Sequence, residues 1–381
     1  MVQDRVVPVF MILPILSVLF FMQPGISNAD FKPAFEKFLA QSKQDQKSRK
    51  VAVFDWDNTV VKNDVGDAFL LWMIQHELLI RPQAWELTSP FLTPDAIAAL
   101  KLACPGTSKN LSTVSQPQCG ETIWTIYQDG VVGSDRTSAW KPESLQPPLS
   151  DQVEPAYAWA VHLGQGHAIG DLKKIAKNVK LFVLERPLGS KQALGRIQVE
   201  DWVRVYPDMK RTIQDLKKSG FEVWIVSASP QVVVEVFAEE VGVSADHVIG
   251  VRSEVDSSGR LTTQFQPCGT VTGANQSMMT YRMGKRCWIN QVIFQIKNPE
   301  QQMQKPGEQW FAAGDSDTDF HFVKDASRFR LVINRQKPEL MCHALENRDG
   351  KWHITPMWFL PKSRKSTPYS CEKFGIRDQS E

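Results

Sequence analysis

The stretch Lys50–Thr59, KVAVFDWDNT, decides the fold. Val51, Val53 and Phe54 around Ala52 form a short apolar run of β-branched and aromatic side chains, the composition of a buried strand. The run stops at Asp55-Trp56-Asp57-Asn58-Thr59, which sets two carboxylates one residue apart where the strand ends. In an open α/β sheet the carboxyl ends of parallel strands face the ligand crevice. Two carboxylates there concentrate negative charge that a cation has to neutralise. Mg2+ suits the place, being hard, octahedral and bound through oxygen. One carboxylate can then attack phosphorus while the other handles protons. Read alone, Asp57-Asn58-Thr59 is equally an ordinary turn, because Asp and Asn favour turns for local reasons.

Three later stretches decide between these readings. The pattern at Met209–Lys218 predicts an amphipathic helix closed by Gly220, followed by a buried strand over Phe221–Val226. That strand runs into Ser227-Ala228-Ser229-Pro230 before another helix. The Ser227 hydroxyl and the N–H groups of that helix start suit an anion, although a serine there is also a common cap. Lys285 follows Gly284 where a helix opens, an unfavourable place for a cation unless an anion compensates. The Asp55 carboxylate and a phosphoryl group would compensate it. A solvated lysine beside Arg282 and Arg286 is the plain alternative. The strand Trp310–Ala313 ends in Gly314-Asp315-Ser316-Asp317-Thr318-Asp319. Asp315 and Asp319 fall on one face of a helix start and repel unless a cation or donor intervenes. Asp315 is then the metal ligand, and Asp319 the support that holds Lys285 or a metal-bound water. Acids favoured by the helix dipole are the plain alternative.

In their order and strand-end placement these residues resemble the haloacid dehalogenase superfamily of phosphotransferases. Its four motifs match DWDNT at Asp55–Thr59, Ser227 in VSAS, Lys285 in GKRCWI and GDSDTD at Gly314–Asp319. The resemblance covers about residues 50–334. It implies an α/β fold, a Rossmann-like parallel sheet with the Asp55 strand at its centre. It also implies Asp55 as nucleophile, Asp57 as general acid and base, and Ser227 and Lys285 as phosphate ligands. Mg2+ would be held by Asp55, Asp315 and the backbone carbonyl of Asp57. YPDMKRTIQDLKKSGFEVWIVSAS is similar to the phosphoserine-phosphatase-like branch. The insertion at 63–204 corresponds in position to that branch's C1 cap, here large and mostly helical. The expected organisation is a core at 30–62 and 205–334, this cap, and a C-terminal extension at 335–381 packing on the core.

The chain has 381 residues, 42% of them hydrophobic, and a net charge of +2, an ordinary globular composition that makes no electrostatic case for nucleic acid. Val6–Met22 is almost wholly apolar, Arg5 precedes it, and Ser27-Asn28-Ala29 offers small residues for a signal peptidase. A signal peptide over 1–29 and export, periplasmic or secreted, are expected; an uncleaved anchor is the alternative. No later run is long and apolar enough to span a bilayer. Cys104, Cys119, Cys268, Cys287, Cys342 and Cys371 are an even set, which suggests disulfides in an exported chain. Fifteen connectivities are open, and sequential pairing is the simplest.

The substrate is expected to be a small phosphorylated metabolite whose leaving group the cap contacts. Export with this motif set is similar to periplasmic phosphorylcholine phosphatases. Trp72, Trp124, Tyr127 and Trp159 are candidates for a cage around a quaternary ammonium, with Asp64 as counter-charge; helical core is their plain alternative. A phosphoserine-type phosphatase or phosphotransferase also fits. An exported binding protein on the same scaffold is disfavoured, because binding has no need of Asp57.

Overall fold

The computed structural model describes residues 31–270, 278–304 and 307–381. The expected signal peptide at 1–29 lies outside the described residues. Six strands, β1 (Val51–Phe54), β2 (Glu222–Pro230), β3 (Val248–Val251), β4 (Phe311–Gly314), β5 (Phe329–Asn334) and β6 (Trp352–Pro356), form one sheet in the order β6-β5-β4-β1-β2-β3. All five pairings are parallel. β1 is central, with Ala52 opposite Phe311 of β4 and Val223 of β2. A parallel sheet covered on both faces needs strands that are apolar throughout, and every residue of β1 is buried.

The pleat sends alternate β1 residues to two cores. Ala52 and Phe54 join Phe31, Phe35 and Phe38 of the helix Phe31–Gln44 and Met209, Ile213 and Leu216 of the helix Pro207–Lys218. Val51 and Val53 meet Trp288 and Ile289 of the helix Met283–Val292 and Leu340 and Met341 of the helix Pro338–Glu346. The chain leaves β1 and returns beside it as β2, and β4 closes its other side. The carboxyl end of β1 therefore lies at a switch point, where such sheets open a crevice.

Between β1 and the helix Pro207–Lys218 run five α-helices, Val65–Gln75, Pro94–Ala103, Pro117–Asp129, Pro155–His162 and Ile169–Glu185. Val61–Lys62 pairs antiparallel with Arg204–Val205, so the insertion departs and returns through a two-stranded neck. A hairpin of Lys191–Leu194 with Ile197–Glu200 is not legible in the sequence, because only Leu194 and Val199 of it are buried. The C-terminal extension does more than pack on the core. Its residues Trp352–Pro356 are β6, an edge strand running from Arg330↔Trp352 to Asn334↔Pro356 along β5. Pro356 fits there, because an edge strand has one side without a partner. Trp358 and Phe359 then reach Tyr206, at 5.0 and 5.5 Å between ring centroids.

The cysteines pair sequentially, Cys104–Cys119, Cys268–Cys287 and Cys342–Cys371. Among the described residues no helix is long and apolar enough to cross a membrane.

His162 seats the insertion. Its Nδ1 lies 3.1 Å from the Thr88 carbonyl and its ring stacks on Phe265 at 4.5 Å. Burial pushes its pKa down to about 4, and the Thr88 carbonyl opposes this only in part. The fold therefore favours the neutral ring. No penalty exists above pH 6.5; between 6.5 and 4 the unfolded chain takes a proton that the folded one refuses. Stability should fall across that window by about 3 kcal/mol from this group. Urea titrations of the wild type and of His162→Gln should differ in slope against pH there, and parallel curves would contradict the assignment.

Candidate active site

The carboxyl edge of the sheet gathers the charged residues. Asp55 and Asp57 follow β1, Ser227 and Ser229 end β2, Asp315 follows β4 and Arg335 follows β5. Lys285 enters from the helix Met283–Val292, and its ammonium lies 2.6 Å from Asp55 Oδ1 and 2.6 Å from Asp319 Oδ1. Two carboxylates thus compensate the unfavourable helix position and raise the lysine pKa against the cost of its burial. The Thr59 hydroxyl sits between Asp55 Oδ2 at 2.9 Å and Asp315 Oδ1 at 2.8 Å. Arg335 donates to Asp315 Oδ2 at 2.6 Å.

Asp57 faces the other way. Its Oδ1 accepts from the Val65 N–H at 2.8 Å, and its Oδ2 accepts from the hydroxyls of Ser229 at 2.8 Å and Ser227 at 3.1 Å. Burial, reinforced by the Asp64 and Asp55 carboxylates, raises its pKa well above the usual range. Asp55 is pushed up to about 7, mainly by burial, with Lys285 opposing and Asp315 adding.

Two glycines permit these approaches. A Cβ on Gly314 would stand 2.6 Å from Asp319 Cβ, so only glycine lets Asp319 fold back. Asp319 Oδ2 there accepts from the N–H groups of Asp315 at 3.0 Å and Ser316 at 3.1 Å. A Cβ on Gly284 would stand 1.7 Å from the Met279 carbonyl oxygen.

Carboxylate oxygens of Asp55, Asp315 and Asp319 lie within 4.8 Å of one another. Three buried like charges this close call for a cation, and hard carboxylate oxygens suit a hard ion. Asp319 is held by the Lys285 ammonium and by two backbone N–H groups, whereas Asp55 Oδ2 and Asp315 Oδ1 face each other across the Thr59 hydroxyl, so Asp55 and Asp315 are the pair that would share such an ion. The residues present therefore fit Mg2+.

These groups open into a cavity of about 590 Å3 between the sheet edge and the insertion. Of the residues predicted for the leaving group, Asp64, Trp124 and Tyr127 line it. Asp64 also caps the helix Val65–Gln75, accepting from the N–H of Gly66 at 2.7 Å. Tyr127 donates to Asp67 at 2.5 Å. Burial and the Asp64 carboxylate push Asp67 up to about 8. Trp72 and Trp159 do not line the cavity. Trp72 stacks on His76 at 3.8 Å and packs against Phe182. Trp159 is buried in the insertion, its indole N–H donating to Thr88 Oγ1 at 2.9 Å. Their helical spacing marks core, the plain reading of such aromatics. Arg335, Tyr157 and Trp202 line the cavity without having been singled out. Only Arg335 left a signal, as a charged residue just past the apolar run Leu331–Ile333.

Gly284→Ala should cost about 1–3 kcal/mol by overpacking, because the obstacle is backbone. Urea unfolding measures it, and an unchanged midpoint would contradict the contact.

The family model of haloacid dehalogenase-like hydrolases matches residues 158–324, which include Ser227, Lys285, Asp315 and Asp319. No curated protein matches the chain. Its fold is similar to that of a conserved protein of unknown function from Anaerococcus prevotii DSM 20548, with 20% identity, 87% of this chain and 92% of that one covered, and a TM-score of 0.60. A protein of unknown function from Bordetella pertussis Tohama I aligns at 14% identity over 82% of this chain and 100% of that one, with a TM-score of 0.48. A phospho-aspartyl intermediate analogue of phosphoserine phosphatase aligns at 17% identity over 81% and 93%, with a TM-score of 0.37. The family match covers less than half of the chain and begins after Asp55 and Asp57; over residues 158–324 the chain is similar to haloacid dehalogenase-like hydrolases, and its doubly covered parallel sheet with an acidic cluster at the switch point agrees with that likeness.

Proposed function

We propose that the protein is an exported, Mg2+-dependent phosphomonoesterase that works through an aspartyl-phosphate on Asp55. The observation that carries this reading is the Lys285 ammonium, held 2.6 Å from both Asp55 and Asp319 at the carboxyl end of the central strand. A buried cation beside a buried carboxylate suits a site that receives a dianion next to its nucleophile. Asp55 and Asp315, with the Asp57 backbone carbonyl, would hold Mg2+, which when bound would draw charge from the phosphoryl oxygens.

Asp55 attacks phosphorus through a side-chain oxygen, and the bond from phosphorus to the leaving alcohol breaks. Asp57 gives its proton to that alcohol, a role suited by the burial and the Asp64 and Asp55 carboxylates that raise its pKa, while the Val65 N–H and two serine hydroxyls hold it in place. Water then attacks the phosphorus of the aspartyl-phosphate. Asp57 takes the water's proton, phosphate leaves and the Asp55 carboxylate returns. Lys285 screens the phosphoryl charge throughout, while Ser227, buried and not lining the cavity, donates its hydroxyl to Asp57. The insertion at 63–204 serves as the cap that excludes water and meets the leaving group. Three disulfides suit an oxidising compartment, periplasmic or extracellular.

Among leaving groups, choline is supported by Trp124 and Tyr127, whose rings meet edge-on at 5.8 Å beside Asp64 and Asp67 in the cavity. A phosphoserine-type substrate is the second reading, supported by the likeness of the Tyr206–Ser229 stretch to that branch. A phosphomonoester panel with and without Mg2+ separates them.

Asp55→Asn should abolish turnover and leave the fold intact, since an amide cannot form the acyl-phosphate; near wild-type activity would sink the mechanism. Trp124→Ala should lower kcat/KM for phosphorylcholine about three- to thirtyfold, the worth of a cation–π contact. It should leave a neutral aryl phosphate almost untouched. Equal losses on both substrates would remove choline and leave the phosphatase standing.

A further inference from the structure

Lys285 can serve the site only if its backbone starts from a fixed place, and three residues upstream the chain is in an unusual one. Arg282 has φ 44° and ψ −115°, left-handed backbone that glycine adopts freely and a branched side chain does not. Its carbonyl accepts from the Lys285 N–H at 3.2 Å, so the angle at Arg282 sets the direction in which the lysine's helix departs. Gly284 leaves no room to compensate, because it lies against the Met279 carbonyl.

The arginine side chain shows what holds this backbone. Nε donates to Asp151 at 2.9 Å, Nη2 to Glu339 at 3.0 Å and Nη1 to the Asp317 carbonyl at 3.3 Å. These three partners come from three parts of the chain. Asp151 lies in the insertion, Asp317 in the loop after β4, and Glu339 in the first turn of the helix Pro338–Glu346. The partners are themselves tied: Asp317 Oδ1 accepts from the Leu340 N–H at 3.1 Å. Around Arg282, Met279 donates its N–H to the Gln152 carbonyl at 3.2 Å, and the Thr280 hydroxyl donates to the Ser227 carbonyl at 2.6 Å. The segment 278–282 is thus a junction of insertion, β2, the β4 loop and the C-terminal helix.

We propose that Arg282 is the positioning residue for Lys285. Its three-way clamp offsets the cost of the left-handed turn and so aims the lysine at Asp55 and Asp319. Through the same clamp the insertion and the C-terminal helix both act on phosphoryl binding, although neither Asp151 nor Glu339 reaches the reacting atoms. The proposal rests on the role given to Lys285 above.

The test uses the backbone preference itself. In Arg282→Ala the strain stays and the clamp goes, so the turn relaxes and the lysine is misplaced. In Arg282→Gly the clamp also goes, but the turn is no longer costly. With the full chain and saturating Mg2+, Arg282→Ala should lose about tenfold or more in kcat and in orthovanadate affinity. Arg282→Gly should stay within about threefold of wild type. A structural or purely charge-based role predicts equal losses for the two variants. Equal losses, or an Arg282→Ala enzyme at wild-type rate, would overturn the proposal. If Arg282→Ala does not fold, Asp151→Asn and Glu339→Gln take its place. Each should lose about two- to fivefold in orthovanadate affinity and more in combination; wild-type affinity in both would equally overturn it. Lys285→Ala is the control. If that variant is fully active, the reading of the site fails; if it is inactive while Arg282→Ala is not, only the positioning role fails.

Discussion

One buried ammonium holds the active edge of this protein together. Lys285 lies between Asp55 and Asp319, out of water, and each contact is as short as a charge-assisted hydrogen bond allows. Such a triad is a compromise: the desolvation of three charges consumes much of what their attraction returns, while removing the lysine leaves two buried carboxylates without their cation. It persists because the sheet brings the strands' carboxyl ends to one place. Asp55, Asp57, Asp315 and Asp319 sit there with Asp64 and Asp67 close by, against Lys62, Lys285 and Arg335. That edge carries more carboxylates than cationic side chains, an arrangement that fits the proposed binding of a divalent cation.

The surrounding backbone is shaped to allow this crowding. Gly314 lets the Asp319 carboxylate fold back onto the N–H groups that precede it, and Gly284 lets the lysine's helix start against a carbonyl. The Thr59 hydroxyl lies between two acids that would otherwise face each other directly. Beyond this inner ring the support comes from parts added to the sheet. The insertion supplies Asp151 and the cavity wall; the C-terminal region supplies Glu339 and the edge strand β6. Trp124, Tyr127 and Tyr157 line the cavity with Asp55, Asp57 and Lys285. The tryptophans at 72 and 159 instead fill the insertion's own core. The aromatics of that region thus divide between those that line the cavity and those that pack in its core.

The sequence by itself determined the central strands and the acids at their ends. A fully buried parallel strand must be apolar throughout, and a polar cluster at its end has nowhere to lie except the crevice. Asp55, Asp57, Ser227 and Asp315 were legible for that reason, Lys285 and Asp319 by their places at helix starts where a charge needs a partner, and the sequential cysteine pairing was the simplest of the open choices. Tertiary structure alone decided which cap aromatics face the cavity, since a tryptophan at helical spacing has the same pattern whether it meets core or ligand. It also decided that Trp352–Pro356 joins the sheet, because a short edge strand with one solvated side carries little periodicity. Arg335 and Arg282 belong to the same class. A charged side chain acquires its meaning from the partner it reaches, and Asp315, Asp151 and Glu339 become partners only when segments far apart in sequence are folded together.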